Sequence, residues 1–180
     1  MSIMGLKRNS ELLQIGASVT MTGVDISTEV KVSLPLSSLD REVFVITDVI
    51  MDVDFPAIIE GTNSRTFAQL TKTQKGNVNG TLVEFVAIND PDLVARVDER
   101  IIFPGSGELA FVRTSSYDNH QNTTGTLLDN LGILATPDFF LSCDTVGAGS
   151  AKSAFVRVYG YRAKADADTY AAMVTSELYQ

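Results

Sequence analysis

The sequence predicts an all-β fold: an eight-stranded antiparallel β-sandwich of jelly-roll type, with a short helix in a central connection and another helix at the C-terminus. Three observations carry this. Glu42 to Asp54 (EVFVITDVIMDVD) is the longest uninterrupted run of strand-forming residues in the chain, and a helix would waste its β-branched side chains. Several shorter runs alternate apolar and polar residues at period two, as strands with one buried face do. Clusters of Gly, Asn, Asp and Pro separate these runs at short intervals, which favours antiparallel neighbours.

Three segments follow from this texture: an N-terminal arm over 1–16, a sandwich over 17–164 and a C-terminal helix over 165–180. In the arm, Asn9 or Ser10 caps a short helical turn through Glu11, Leu12, Leu13 and Ile15, and Gly16 ends it. A second reading makes Met1 to Arg8 an extension that orders only against a neighbouring subunit. Ala17, Val19 and Met21 then alternate with Ser18, Thr20 and Thr22. Val30, Val32 and Leu34 alternate with Glu29, Lys31 and Ser33, up to Pro35. In the long strand, period-two spacing puts Val43, Val45, Thr47, Val49, Met51 and Val53 on one buried face. The other face carries Phe44, Ile46 and Ile50 among Glu42, Asp48, Asp52 and Asp54.

Arg65 to Thr73 is threonine-rich and polar, like an exposed strand. It turns through Lys75-Gly76-Asn77 or Asn79-Gly80, the second being a strong hairpin signal, and Thr81 to Ile88 returns as a strand. Asp90 as N-cap and Pro91 at the first helical position start the central helix, with Leu93, Val94 and Val97 on its apolar edge. Ile101 to Phe103 and Glu108 to Thr114 are further strands, Ser115 to Thr126 is a polar surface loop, and Leu127 to Ala135 reads equally as helical turn or short strand. Asp138 to Asp144 and Ala154 to Lys164 form a hairpin across the glycine-rich turn at Gly147 and Gly149. Asp166 caps the last helix, in which Tyr170, Met173, Val174 and Leu178 recur at helical spacing and Asp168 suits the positive end of the helix dipole.

At 180 residues the chain buries roughly 70% of its unfolded surface as one domain, so it needs neither disulfide nor metal to fold. Its 44% hydrophobic and 20% charged content is that of an ordinary globular protein. No apolar run approaches the ~20 residues of a membrane-spanning helix, no signal peptide is visible, and no membrane insertion is expected. The net charge of −8, from 22 acidic against 14 basic residues, opposes strong nucleic-acid binding through phosphates.

The chemical motifs are sparse. Asp48, Asp52 and Asp54, in phase with Glu42, could together hold a calcium ion, but three carboxylates at the solvated edge of a half-buried face explain them better. The single histidine, His120, sits in a polar loop with no nucleophile elbow around it, and one histidine cannot build a cupin-type metal site. Cys143, the only cysteine, falls within a strand, where a buried inert thiol is expected. Gly147-Ala148-Gly149-Ser150 and Gly105-Ser106-Gly107 lack the lysine and the following helix of a phosphate loop. Arg157, Tyr159, Tyr161, Arg162 and Lys164 interleave aromatics with cations as a nucleic-acid platform does. The overall acidity favours tyrosines packed at an interface and arginines paired to acids. The sequence therefore implies no enzyme, no catalytic, metal or cofactor-binding residues and no cofactor.

In its strand content, its helix between the fifth and sixth strands and its lack of a reactive site, the stretch Ala17 to Lys164 resembles the single jelly-roll coat proteins of tailless icosahedral viruses. The resemblance implies a capsid subunit whose partners are copies of itself, with other virion proteins as further candidates. It implies a place in the virion, assembled in host cytoplasm. Met1 to Gly16 and Asp166 to Gln180 would then be arms touching neighbours, with Gly61 to Asn63 and Tyr117 to Thr126 as surface or inter-subunit loops. One departure is that the basic arm of coat proteins that package naked nucleic acid is reduced here to Lys7 and Arg8. The alternative is a ligand-binding sandwich, carbohydrate-binding or adhesin-like, and the absence of tryptophan counts against its usual aromatic platform.

Overall fold

The computed structural model describes residues 6–76, 85–103, 111–117 and 131–178. The strands are β1 (Leu6–Arg8), β2 (Leu13–Thr20), β3 (Thr28–Ser33), β4 (Glu42–Val53), β5 (Ser64–Thr71), β6 (Leu93–Ile102), β7 (Phe111–Tyr117), β8 (Gly132–Leu134), β9 (Asp138–Val146) and β10 (Ser153–Ala165), followed by helix α1 (Ala167–Leu178). Four antiparallel pairs nest inside one another along the chain: β5 with β6, β4 with β8, β3 with β9, and β2 with β10. Pairing of β4 with β10 and of β5 with β9 rolls this long hairpin up. Two sheets result, β2-β10-β4-β8, with β1 also along β10, and β3-β9-β5-β6-β7. An eight-stranded hairpin rolled into two antiparallel sheets is a jelly roll, to which β1 and β7 are additions.

The main core lies between the sheets. Phe44, Ile46, Val49 and Val53 of β4 meet Ala68, Leu70, Val97, Phe139 and Leu141 of the other sheet. The long strand does not keep one phase. Asp48 pairs with Tyr159 and Ile46 with Gly160, so Thr47 is an extra residue, and a bulge of this kind swaps the two faces of a strand. Phe44 and Ile46 before it and Val49, Met51 and Val53 after it all face the main core, whereas Val43 and Val45 belong to a second apolar cluster. This corrects the assignment of all odd positions to one face. The partner strand makes room with Gly160, where a Cβ would lie 2.4 Å from the Val45 carbonyl oxygen and 2.6 Å from the Phe44 ring.

That second cluster, on the outer face of the first sheet, is covered by α1. Tyr170, Met173 and Val174 pack over Val43, Val45, Ala163 and Ala165, and Asp166 caps the helix by accepting the Thr169 N–H (2.8 Å) and hydroxyl (3.0 Å).

Both other expected helices are strands. In place of the turn at 9–15, β1 and β2 run along β10, with the Asn9 N–H bonded to the Arg162 carbonyl (3.0 Å) and the Arg162 N–H to Ser10 Oγ (2.8 Å). In place of the central helix, Leu93 opens β6. The shift from Leu70–Ala95 to Thr71–Leu93 leaves Val94 as a second bulge, which buries Val94 and Ala95 in succession and mimics helical spacing. Asp90 caps a turn here, its Oδ1 accepting the Asp92 N–H at 2.8 Å. Of the strand expected over 81–88, residues 81–84 and the Asn79-Gly80 turn lie outside the described residues, and 85–88 are not strand.

Candidate assembly surface

The strand directions divide the loops between two ends of the sandwich. At one end lie 34–41, the described part of 72–92, 135–137 and α1, and buried carboxylates fasten them. Glu42, 7% exposed, accepts from Asn9 Nδ2 (2.7 Å) and the Ser37 N–H (3.0 Å) and faces Arg162 at 3.5 Å. Glu177, 5% exposed, reaches from α1 to the Ala135 and Thr136 N–H groups, both at 2.8 Å. Asp92 holds the Thr73 hydroxyl and the Lys75 ammonium, and Glu29 accepts the Lys75 and Gly76 N–H groups at 3.0 Å.

At the opposite end, loops 21–27, 54–63 and 147–152 are tied together mainly through backbone groups. The Thr145 hydroxyl donates to Asp25 (2.9 Å), the Ala57 N–H to the Ala148 carbonyl (3.3 Å), and the Met21 N–H to the Lys152 carbonyl (2.9 Å). Gly147 and Gly149 take positive φ of 60° and 71°, but the expected hairpin is not formed: β9 pairs with β3 and β5 whereas β10 pairs with β2 and β4, so 147–152 crosses from one sheet to the other. Side chains here are left in water: Val24, Ile26, Phe55, Ile58, Ile59 and Val146 are exposed, Ile58 by 68%. Ile50 and Phe155 continue the apolar surface onto the adjoining outer face of the first sheet, beyond the part that α1 covers. Among the described residues, eight of the eleven exposed large hydrophobic side chains lie in this one region. Apolar surface concentrated in this way is uncommon on a folded domain and is a feature of contact sites among others.

The residues singled out from sequence disperse. The Thr47 bulge puts Glu42 out of phase with Asp48 and Asp52, and each aspartate is used by nearby backbone: Asp48 by the Val49 N–H, Asp52 by the Val53 N–H, both at 2.9 Å, and Asp54 by the Ser153 N–H at 2.8 Å. No group of His, Cys, Asp and Glu suited to a metal occurs among the described residues. His120 and most of the Tyr117 to Thr126 loop lie outside them. Cys143 is fully buried in the main core, and burial pushes its thiol up to about 12, which keeps it protonated and inert. The aromatic and basic row on β10 is divided: Tyr161 packs beneath α1 with the Arg8 guanidinium 4.7 Å from its ring, Arg162 faces Glu42, Lys164 lies 3.7 Å from Asp40, and Arg157 is exposed. Sequence reasoning missed the apolar end, although adjacent isoleucines between Pro56 and Gly61 were a legible sign of it.

No protein-family model matches the sequence, and no curated relative does. Among solved structures the chain is similar to polyomavirus VP1 capsid proteins. For the unassembled pentamer of Merkel cell polyomavirus VP1 the identity is 10%, the coverage 91% of this chain and 99% of that one, and the TM-score 0.43. Apo chimpanzee polyomavirus VP1 gives 11%, 89%, 99% and 0.42, and trichodysplasia spinulosa-associated polyomavirus VP1 gives 7%, 90%, 99% and 0.38. The jelly roll itself rests on the strand order of this chain.

Proposed function

We propose that the chain is a non-enzymatic structural subunit that associates with copies of itself, and that it serves as a coat protein building the shell of a virion in host cytoplasm. The observation that carries this is the asymmetry of the two ends: one is fastened by buried carboxylates, and the other, with the sheet face beside it, presents eight exposed apolar side chains, five of them on its loops. Burying that surface against sister subunits gives the hydrophobic gain that roughly 1,600 Å² of contact usually supplies, and the net charge of −8 keeps free subunits soluble. In this reading 17–164 is the wall unit, and 1–16 and 165–180 are its arms. Because α1 lies on its own sandwich, it offers a neighbour its outer side, Ala171, Ala172 and Thr175, all exposed.

Negative-stain microscopy with light scattering of the purified chain tests the proposal. Rings or closed particles are expected, and Ile58→Asp with Phe55→Asp should return them to monomers. A wild-type chain that stays monomeric at every concentration and binds glycans would reverse the reading in favour of a ligand-binding sandwich.

A further inference from the structure

The outer face of the second sheet carries an arginine-rich site. Register sets Arg65 opposite Arg100, Phe67 opposite Asp98 and Gln69 opposite Arg96, so three arginines of two adjacent strands surround one aspartate. Arg65 is fixed in place: its Nε lies 2.8 Å from Asp98 Oδ1, its Nη2 also bonds Asp98, and its guanidinium stacks 4.1 Å from the Phe67 ring. Arg100 reaches the same carboxylate only at 3.8 Å, with its side chain 40% exposed. Arg96 donates to the Val86 carbonyl at 3.5 Å, and burial together with Arg65 and Arg100 lowers its pKa, a sign of cations crowded together. The next carboxylate, Asp144 on β9, also interacts with Arg65, and burial raises its pKa. Among the described residues three guanidinium groups thus stand against two carboxylates, in a chain of net charge −8.

A shallow cavity opens beside this cluster, lined by Asn63, Ser64, Arg65, Arg100, Ile102 and Val146. Asn63 Oδ1 is taken by the Phe103 N–H at 2.8 Å, which leaves its amide group as a donor. We propose that this cavity binds a tetrahedral oxyanion, a phosphate or sulfate, with Arg100 and Asn63 as direct donors and Arg65 as the fixed charge behind them. Guanidinium forks match such anions in geometry and sign of charge. Asp98 and Phe67 are positioning residues that hold Arg65. The inference does not depend on the assembly reading, although the cavity shares Val146 and Asn63 with the apolar end.

Titration calorimetry of the full-length chain tests the site with two probes, inorganic phosphate and a sulfated disaccharide. Saturable one-to-one binding of either is expected, and the tighter probe tells a free anion from an ester. Arg100→Gln should weaken it at least about tenfold, while Arg157→Gln, removing an exposed arginine on the opposite sheet, should leave it unchanged. Asn63→Asp, which adds a carboxylate to the cavity, should abolish binding and gives a second reading should Arg100→Gln fold poorly. Absence of binding by both probes, or equal loss in the Arg157→Gln control, overturns the proposal.

Discussion

The two ends of the sandwich solve the same problem, finishing a rolled sheet, in opposite ways. At the α1 end the loops are closed by buried acceptors: Glu42, Glu177 and Asp92 each satisfy donors that would otherwise face the core. A buried carboxylate is expensive unless every donor around it is aimed inward, so this end is specified by its own chain. At the other end the loops are joined by main-chain groups and by the exposed carboxylates Asp25 and Asp54, and isoleucine, valine and phenylalanine are left in water. The difference teaches how each end places its polar groups: among the described residues the first buries carboxylates against its own donors, with Asp92 Oδ1 and Arg162 Nε left over, and the second keeps apolar side chains exposed.

This contrast can be broken by substitution. The largest effect should come from Glu42→Ala, which strands Asn9, the Ser37 N–H and Arg162 together. We expect a loss of about 3–4 kcal/mol in chemical denaturation, and a near-neutral result would show that the carboxylates do not close that end. Gly160→Ala drives a methyl group into the Val45 carbonyl and the Phe44 ring and should cost about 2–3 kcal/mol by overpacking, read from the unfolding midpoint. Glu177→Gln keeps the shape of the side chain but weakens two charge-assisted bonds. About 1–2 kcal/mol is expected, with α1 cleaved faster in limited proteolysis. At the apolar end Ile58→Asp should move stability by no more than about 0.5 kcal/mol while abolishing assembly in light scattering; loss of fold and assembly together would erase the distinction between the ends.

The smallest effect concerns pH. The Thr169 N–H and hydroxyl hold the Asp166 carboxyl below its ordinary range. A lowered folded-state value means that this cap stabilises α1 above the ordinary carboxylate pKa and is lost as pH falls through the lowered value. Helical circular dichroism should therefore decline on acidification, and Asp166→Asn should remove that step.

The alternating runs at β3 and the first half of β10 made the all-β class legible, because each has a drier and a wetter face, whereas β4, buried on both faces over Val43 to Ile46, was legible from its β-branched run. Where that contrast is lost, the reading can fail. Val94 and Ala95 are buried in succession by a bulge, which turned a strand into an apparent helix, and Thr47 hid a change of phase inside a run that looked uniform. Leu13 and Ile15 are half-buried against Gln14 and Gly16, too faint a pattern to outweigh the capping residues before them. The arginine cluster was invisible for a different reason: Arg65, Arg96 and Arg100 become neighbours only through the register of β5 on β6.

One feature of the topology bears on how each molecule is made. Strand β10 is the last of the ten to leave the ribosome, yet it is the shared neighbour of β2 and β4, and its Ser153 meets a threonine 133 positions earlier. Pairings so distant in sequence are slow to form, and the early strands must wait with open edges, a state prone to mispairing. The emergence of β10 thus acts as the trigger for closure, and a nascent chain halted before Ser153 lacks the strand that joins β2 to β4.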